Sequence, residues 1–454
     1  MGLSQIIAEV QGDPVTWAWV LGSSALYLIM CAVIWAGEQK KARLKREAAA
    51  GATPWLVVYA SQTGQAEEIA TATLKRLSDG GQVARIVDMA DLKLSDLESA
   101  RHVLCVASTT GDGDAPDCVL GFETKIMNDG AVLSHLDYAV LALGDKSYAD
   151  FCAFGRKVYD WLRASGAKPY FEVIEVDDLD PVALNRWYEN LSDLGAKSEA
   201  FNPKAAYGAW QLKARECLNP DSDASKLYRV TLVPENGALP DWQAGDLAEI
   251  MTADGHVRDY SLASLSSSGG VELYVREVIK DDGSRGLGSG LLTHDLGVDE
   301  TVLLRTKSHK NFHTPDGDGP LLLIAAGSGL AGLNAHIDAR LAAGRKGNWV
   351  IYGERHPIRD GALCKALTAR VQAGELSDLS LCFSRPDSGQ RTYVQDALSA
   401  APDRVRGFLT GGGAVMVCGG LSMGQGVDKA LRTIMGDDWA DQALADGRYR
   451  RDLY

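Results

Sequence analysis

The sequence predicts two α/β units separated by an antiparallel β-barrel, with one membrane-spanning helix ahead of them. Three observations predict this. An uncharged run from Pro14 to Gly37 is followed directly by a basic cluster. Apolar runs alternate with amphipathic helical stretches from Trp55 onward and again from Pro320 to the end, the signature of parallel sheets covered by helices. Between them lie short segments of alternating apolar and polar residues divided by turns, as in a small barrel. The chain has 454 residues, 46% hydrophobic and 23% charged, an ordinary globular composition. Its 46 Lys and Arg against 60 Asp and Glu leave a net charge of −14, which disfavours a nucleic-acid partner. The eight cysteines include no C-x-x-C, so no metal site is expected and a reducing compartment is the simplest setting.

The run Pro14–Gly37 holds 24 residues, enough to cross a bilayer as a helix, which takes ~20. Trp17, Trp19 and Trp35 sit near its ends, where aromatic rings favour the interface. Lys40, Lys41, Arg43, Lys45 and Arg46 follow it. A signal peptide carries its positive charge before the apolar run, so a retained anchor is expected, with everything after it on the cytoplasmic side of a bacterial-type inner membrane. The expected division is an anchor over 1–50, an α/β domain over 51–196, a linker over 197–226, a barrel over 227–319 and a second α/β domain over 320–454.

The first α/β domain reads as strands near 55–60, 84–89, 102–108, 138–144 and 169–178. Three of them end in loops at their carboxyl ends, where open α/β sheets bind ligands. Ser61-Gln62-Thr63-Gly64-Gln65 offers hydroxyls and backbone N–H groups at a helix N-terminus, which suits a phosphate. It lacks the lysine and spacing of a nucleoside-triphosphate loop. The second loop is Ser108-Thr109-Thr110-Gly111-Asp112-Gly113-Asp114, and the third runs from Leu143 and Gly144 to Tyr148, whose ring could stack on a planar group. In the second α/β domain, Ala326-Gly327-Ser328-Gly329 follows an apolar strand and opens a helix.

In these three loops and their order, the domain resembles the flavodoxin-like FMN domain of diflavin reductases, the family of the sulfite reductase flavoprotein subunit and cytochrome P450 reductase. The remainder resembles that family's ferredoxin–NADP reductase-like module. The resemblance implies that Ser61 to Gln65 hold an FMN phosphate. It implies that Thr109, Thr110, Gly111 and Gly113, with Gly144 to Phe151, line the isoalloxazine, and that Tyr148 stacks on it. Arg258-Asp259-Tyr260-Ser261 resembles the family's Arg-x-Tyr-Ser segment, and Gly286 to Ser289 its second FAD segment. The loop with Gly327 and Gly329 resembles the NADP pyrophosphate loop. Ser384, Arg385, Arg391, Tyr393 and Gln395 resemble its reader of the 2′-phosphate, where two guanidiniums would clamp a dianion that NADH lacks. Cys418 resembles the Cys-Gly position beside the nicotinamide, Asp452 would complete a polar group with Ser261 and Cys418, and Tyr454 would stack over the FAD ring.

The chain departs from that family in three ways. Only about 30 residues separate its first barrel strand from Arg258, where the relatives insert a helical connecting domain. Gly332 stands where the family usually has Pro, and Gly420 where it has an acidic residue. The expectation is an NADPH-dependent diflavin reductase that passes electrons from NADPH through FAD and FMN to a haem or iron-containing redox partner. A ferric-siderophore or membrane cytochrome reductase component is an alternative. A redox-inactive flavin-binding scaffold, suggested by the changes at 332, 333 and 420, is an alternative of another class.

Overall fold

A computed structural model describes residues 54–110, 113–127, 130–146, 148–198, 207–387 and 389–454. The apolar run, its basic cluster and Gly111 lie outside the described residues. Among the described residues no helix is long and apolar enough to cross a membrane.

The first unit contains β1 (Trp55–Ala60), α1 (Gln65–Asp79), β2 (Ala84–Asp88), α2 (Leu94–Ser99), β3 (His102–Ser108), α3 (Leu120–Lys125), β4 (Asp137–Gly144), α4 (Ala153–Ala164), β5 (Lys168–Pro169), β6 (Ile174–Asp177) and α5 (Pro181–Asp193). Its strands run parallel in the order β2-β1-β3-β4-β5, with β6 also on β4. This is the doubly wound order whose reversal between β1 and β3 opens a ligand crevice at the carboxyl ends. The central strands read as continuous apolar runs because helices cover both faces. Leu56, Val58, Val103 and Phe154 fill one side, and Val57, Ile69, Leu104 and Trp187 the other. The strand expected over 169–178 is broken into β5 and β6. Between them Tyr170 turns its hydroxyl to His102, and Phe171 packs edge-on against Trp187.

The barrel comprises β7 (Gly208–Cys217), β8 (Leu227–Pro234), β9 (Leu247–Met251), β10 (Val257–Ser261), β11 (Val271–Arg276), the short helix α6 (Leu287–Gly290) and β12 (Thr301–Lys307). Its antiparallel order is β10-β9-β12-β7-β8-β11. Strand β7 falls inside the segment expected to be a linker. Its alternation is obscured by polar residues at both ends, yet Trp210 and Leu212 point into the barrel core, so regular structure resumes by Gly208. The connection from β8 to β9 is a short loop over 235–246.

The last unit contains β13 (Leu321–Ala326), α7 (Leu330–Ala342), β14 (Asn348–Glu354), α8 (Ala362–Gln372), β15 (Asp378–Phe383), α9 (Val394–Ala400), α10 (Pro402–Thr410), β16 (Ala414–Gly419), α11 (Leu421–Met435), α12 (Asp437–Ala445) and β17 (Tyr449–Leu453). The parallel order β15-β14-β13-β16-β17 reverses between β13 and β16, which places their terminal loops over a second crevice. Strand β17 completes the sheet in register with β16, so that Asp452 lies opposite Cys418.

Candidate functional site

Two cavities and one polar group organise the molecule. The first cavity, about 640 Å³, opens at the carboxyl ends of β1, β3 and β4. Gln62, Thr63, Gln65, Thr109, Thr110, Gly144, Tyr148 and Phe151 all line it. Gly64 enters α1 at φ +83°, a conformation natural to glycine. The Ser61 hydroxyl is buried and accepts the Ala66 N–H at 3.2 Å, so it shapes the loop from beneath. Thr110 folds its own loop, donating its hydroxyl to the Ala115 carbonyl at 3.0 Å. Gly113, at φ +103°, lies where a Cβ would come within 2.7 Å of the Asp150 Cβ, which lets the second loop close on the third. Tyr148 stands half-exposed at the mouth. The Thr109 hydroxyl is buried with no hydrogen-bond partner. An orphaned hydroxyl at the wall of this cavity, beside a helix N-terminus, fits a polar ligand with an anionic tail, as FMN is.

The other module closes this cavity. Arg258, Leu421, Gln425, Arg451 and Leu453 also line it. Arg258, in the Arg-x-Tyr-Ser segment, donates to Asp178 of the first unit at 2.8 Å. The remaining barrel elements lie close together. Gly288 sits where a Cβ would lie 2.7 Å from the Tyr260 Oη and 2.9 Å from the Arg258 Cγ. The start of α6, with Gly286 and Ser289, is therefore pressed onto the Arg-x-Tyr-Ser strand, a glycine cradle that fits the pyrophosphate of FAD. The Ser289 hydroxyl accepts the Val278 N–H at 3.2 Å.

The second cavity, about 480 Å³, lies across the ends of β13, β14 and β15 and is lined by Arg276, Gly327, Gly353, Arg355, Ser384, Tyr393 and Gln395, among others. Gly327 takes φ +58°, and a Cβ there would meet the Arg276 guanidinium at 2.7 Å. A Cβ on Gly329 would lie 2.2 Å from the Cys418 carbonyl oxygen, so that glycine is needed for β13 and β16 to approach. The Gln395 Oε1 is buried without a partner. Arg385 and Arg391 are exposed beside this cleft, Arg391 over the Tyr393 ring at 5.2 Å. Two exposed guanidiniums, a glycine loop and an orphaned amide fit a phosphorylated dinucleotide. Sequence reasoning missed Arg276 and Arg355, since an arginine at the end of a strand carries no local signal.

Between the crevices Ser261, Cys418 and Asp452 converge. The Ser261 hydroxyl donates to Asp452 Oδ2 at 3.0 Å and the Cys418 thiol to the same oxygen at 3.6 Å. Burial, and then the Asp452 carboxylate, push the Cys418 thiol well above its ordinary range, so it stays protonated and is no nucleophile. Gly332 explains the fit: a Cβ there would come within 2.8 Å of the Cys418 sulfur. Tyr454 reaches across to Ser328, with 3.0 Å between the two hydroxyl oxygens. The changes at 332 and 420 thus leave the polar group assembled. No cluster of metal-binding side chains occurs among the described residues.

Residues 57–188 match the flavodoxin family. Over 433 residues the chain is 28% identical to the sulfite reductase [NADPH] flavoprotein alpha-component of Thiocapsa roseopersicina, covering 83% of this chain and 82% of the relative. It is 24% identical over 535 residues to the protein of the same description from Vibrio cholerae, covering 88% and 87%. It is 23% identical over 540 residues to that from Neisseria meningitidis, covering 88% and 89%. A match spanning 535 residues exceeds the 454 of this chain, so the relative carries segments that this chain lacks. A flavodoxin-type unit facing a barrel and dinucleotide unit across a shared cavity defines a two-module electron-transfer flavoprotein. Over most of its length the chain is similar to these flavoprotein components.

Proposed function

We propose that this protein draws electrons from NADPH and delivers them, through two flavins, to a haem or iron-containing redox protein. It is an NADPH-dependent flavoprotein oxidoreductase with FMN, FAD and NADPH as its cofactors. When bound, these cofactors would supply hydride transfer and single-electron transfer. The protein supplies binding, orientation and distance. Ser384, Arg385 and Arg391 would hold the 2′-phosphate side of the coenzyme, and the Gly327 loop its pyrophosphate. Ser261, Cys418 and Asp452 would position the nicotinamide, and Tyr454 would pack on the flavin.

The observation that carries this reading is the placement of strand β17. Side chains alternate along a strand. Asp452 therefore enters the polar group with Ser261, while Arg451 and Leu453 line the cavity of the first unit. One short strand joins the hydride site to the outlet. The proposed acceptor is a separate iron or haem protein, and a sulfite reductase partner is favoured by the names of the relatives. The apolar run at 14–37 would confine the enzyme near an acceptor in the inner membrane, with the catalytic modules cytoplasmic. The test is a visible spectrum of the purified protein before and after anaerobic NADPH, with both flavins released and quantified. Two flavins per chain that bleach with NADPH are expected. Absence of flavin, or a flavin that NADPH leaves oxidised, would refute the reading.

A further inference from the structure

We propose that the reductase module is itself part of the FMN site, with Asn311 and its neighbours acting as positioning residues for the phosphate loop of the other module. The proposal rests on the reading of the first cavity as an FMN site. The segment 308–311, between the barrel and the last unit, lies directly on the loop 61–65. The Asn311 amide donates to the Ser61 carbonyl at 2.7 Å and to the Gln62 carbonyl at 3.1 Å. In a trans peptide the carbonyl and the following N–H point in opposite directions. Holding these two carbonyls outward therefore turns the N–H groups of Gln62 and Thr63 the other way, away from Asn311. Those are donors an anion at the N-terminus of α1 would use.

Two further contacts secure the same loop. A Cβ on Gly64 would lie 2.5 Å from the Ser308 carbonyl oxygen, so only glycine allows this approach. The Gln62 side chain bridges the modules, its Oε1 accepting the Asp117 N–H at 3.0 Å and its Nε2 donating to the Arg451 carbonyl at 3.4 Å. Arg451 in turn forms an ion pair with Asp117.

Charge gives the independent argument. The first turn of α1 carries Glu67 and Glu68. Two carboxylates beside a phosphate dianion oppose its binding. Each is paired with a cation from the reductase module. Lys310 holds Glu67, and Arg305 holds Glu68 through two hydrogen bonds of 2.8 and 3.1 Å. Arg305 is itself fixed by Glu249 at 2.7 Å. A flavodoxin module without its partner would expose two negative charges and two unheld carbonyls at its phosphate loop. By linkage, whatever the module adds to FMN affinity, FMN returns to module docking by the same factor.

The test uses the full chain. FMN is removed and its dissociation constant measured by fluorescence titration, with FAD content as the folding control. Asn311→Leu removes both donors and is expected to weaken FMN about tenfold or more. Asn311→Asp is expected to weaken it further, since a carboxylate would face two carbonyls. FMN-free wild type should be more extended in solution scattering than the FMN-loaded protein. If wild type takes up FMN and Asn311→Leu binds it within twofold of wild type, the proposal is overturned. If wild type holds FAD but no FMN at any concentration, the FMN reading itself fails instead. Should Asn311→Leu also lose FAD, Lys310→Gln decides: a loss of about threefold in FMN affinity supports the proposal, and no change overturns it.

Discussion

Ser261 and Asp452 stand 191 residues apart in the chain and 3.0 Å apart in space. Their hydrogen bond ties the barrel to the last strand of the dinucleotide unit, and Cys418 shares the same carboxylate oxygen. A carboxylate with two neutral donors is held in one orientation. Asp452→Asn keeps the shape and removes the charge. Hydrogen bonds to a charged group contribute about 1.5–3 kcal/mol, so flavin reduction by NADPH should slow roughly 10–100-fold with flavin content intact. Stopped-flow bleaching of the flavin measures this directly. An unchanged rate would reduce the group to a structural tie.

Coenzyme recognition divides between two sets of arginines. Arg385 and Arg391 flank the outer end of the cleft, whereas Arg276 sits against the Gly327 loop. A 2′-phosphate occurs only in NADPH, and a pyrophosphate in both coenzymes. Replacing Arg385 or Arg391 with Ala should therefore lower kcat/KM roughly tenfold for NADPH and little for NADH. Arg276→Ala should lower both by a similar factor. The comparison requires only initial rates with each coenzyme, and a selective loss of NADPH in the Arg276 variant would contradict the assignment.

The architecture was legible where sequence pattern and physics coincide. Parallel strands buried on both faces read as apolar runs, so β1, β3, β4 and β13 stand out from the sequence alone. The glycine loops behind them were legible for the same reason. Strand β7 was not, because a bulge between Leu212 and Ala214 breaks its alternation and the charged residues Lys213, Arg215 and Glu216 follow. Arg258 stood out as part of a recognisable segment, yet its partner is Asp178, 80 residues away. Asp178 follows β6 at φ 44°, an uncommon conformation for a non-glycine residue that no pattern announces. The contacts of Asn311 and Arg451 were illegible in principle, since each joins modules some 250 or more residues apart in sequence.

The apolar run at 14–37 gives a separable prediction. The first described strand, β1, begins at Trp55, after this run. Removing residues 1–46 should leave a protein that binds both flavins and reduces ferricyanide with NADPH. Delivery to an acceptor in isolated membranes should fall sharply, because confinement raises the effective concentration of enzyme near it. Equal delivery by the truncated and full chains would point to a soluble acceptor. Loss of flavin on truncation would make the segment part of the fold.

Acid sensitivity should centre on the joint between the barrel and the last unit. His336 is fully buried on α7, edge-on to Phe312, with 2.8 Å between its Nδ1 and the Thr314 hydroxyl and no partner for Nε2. Burial first, and then the charges of His313, Arg450 and His309, lower its pKa to about 3. Burial lowers His309 in the same direction. A histidine that refuses a proton when folded and accepts one near pH 6.5 when unfolded has a definite sign. Its contribution is intact above about pH 6.5 and is lost progressively as pH falls toward 3. At pH 5 the cost is about 2 kcal/mol for this one group, from 1.36 kcal/mol per unit. His336→Phe removes the titration and keeps the ring. Its thermal midpoint should therefore fall less between pH 7 and pH 5 than that of wild type, while His309 continues to contribute. Parallel declines in the two proteins would show that His336 does not set the acid limit.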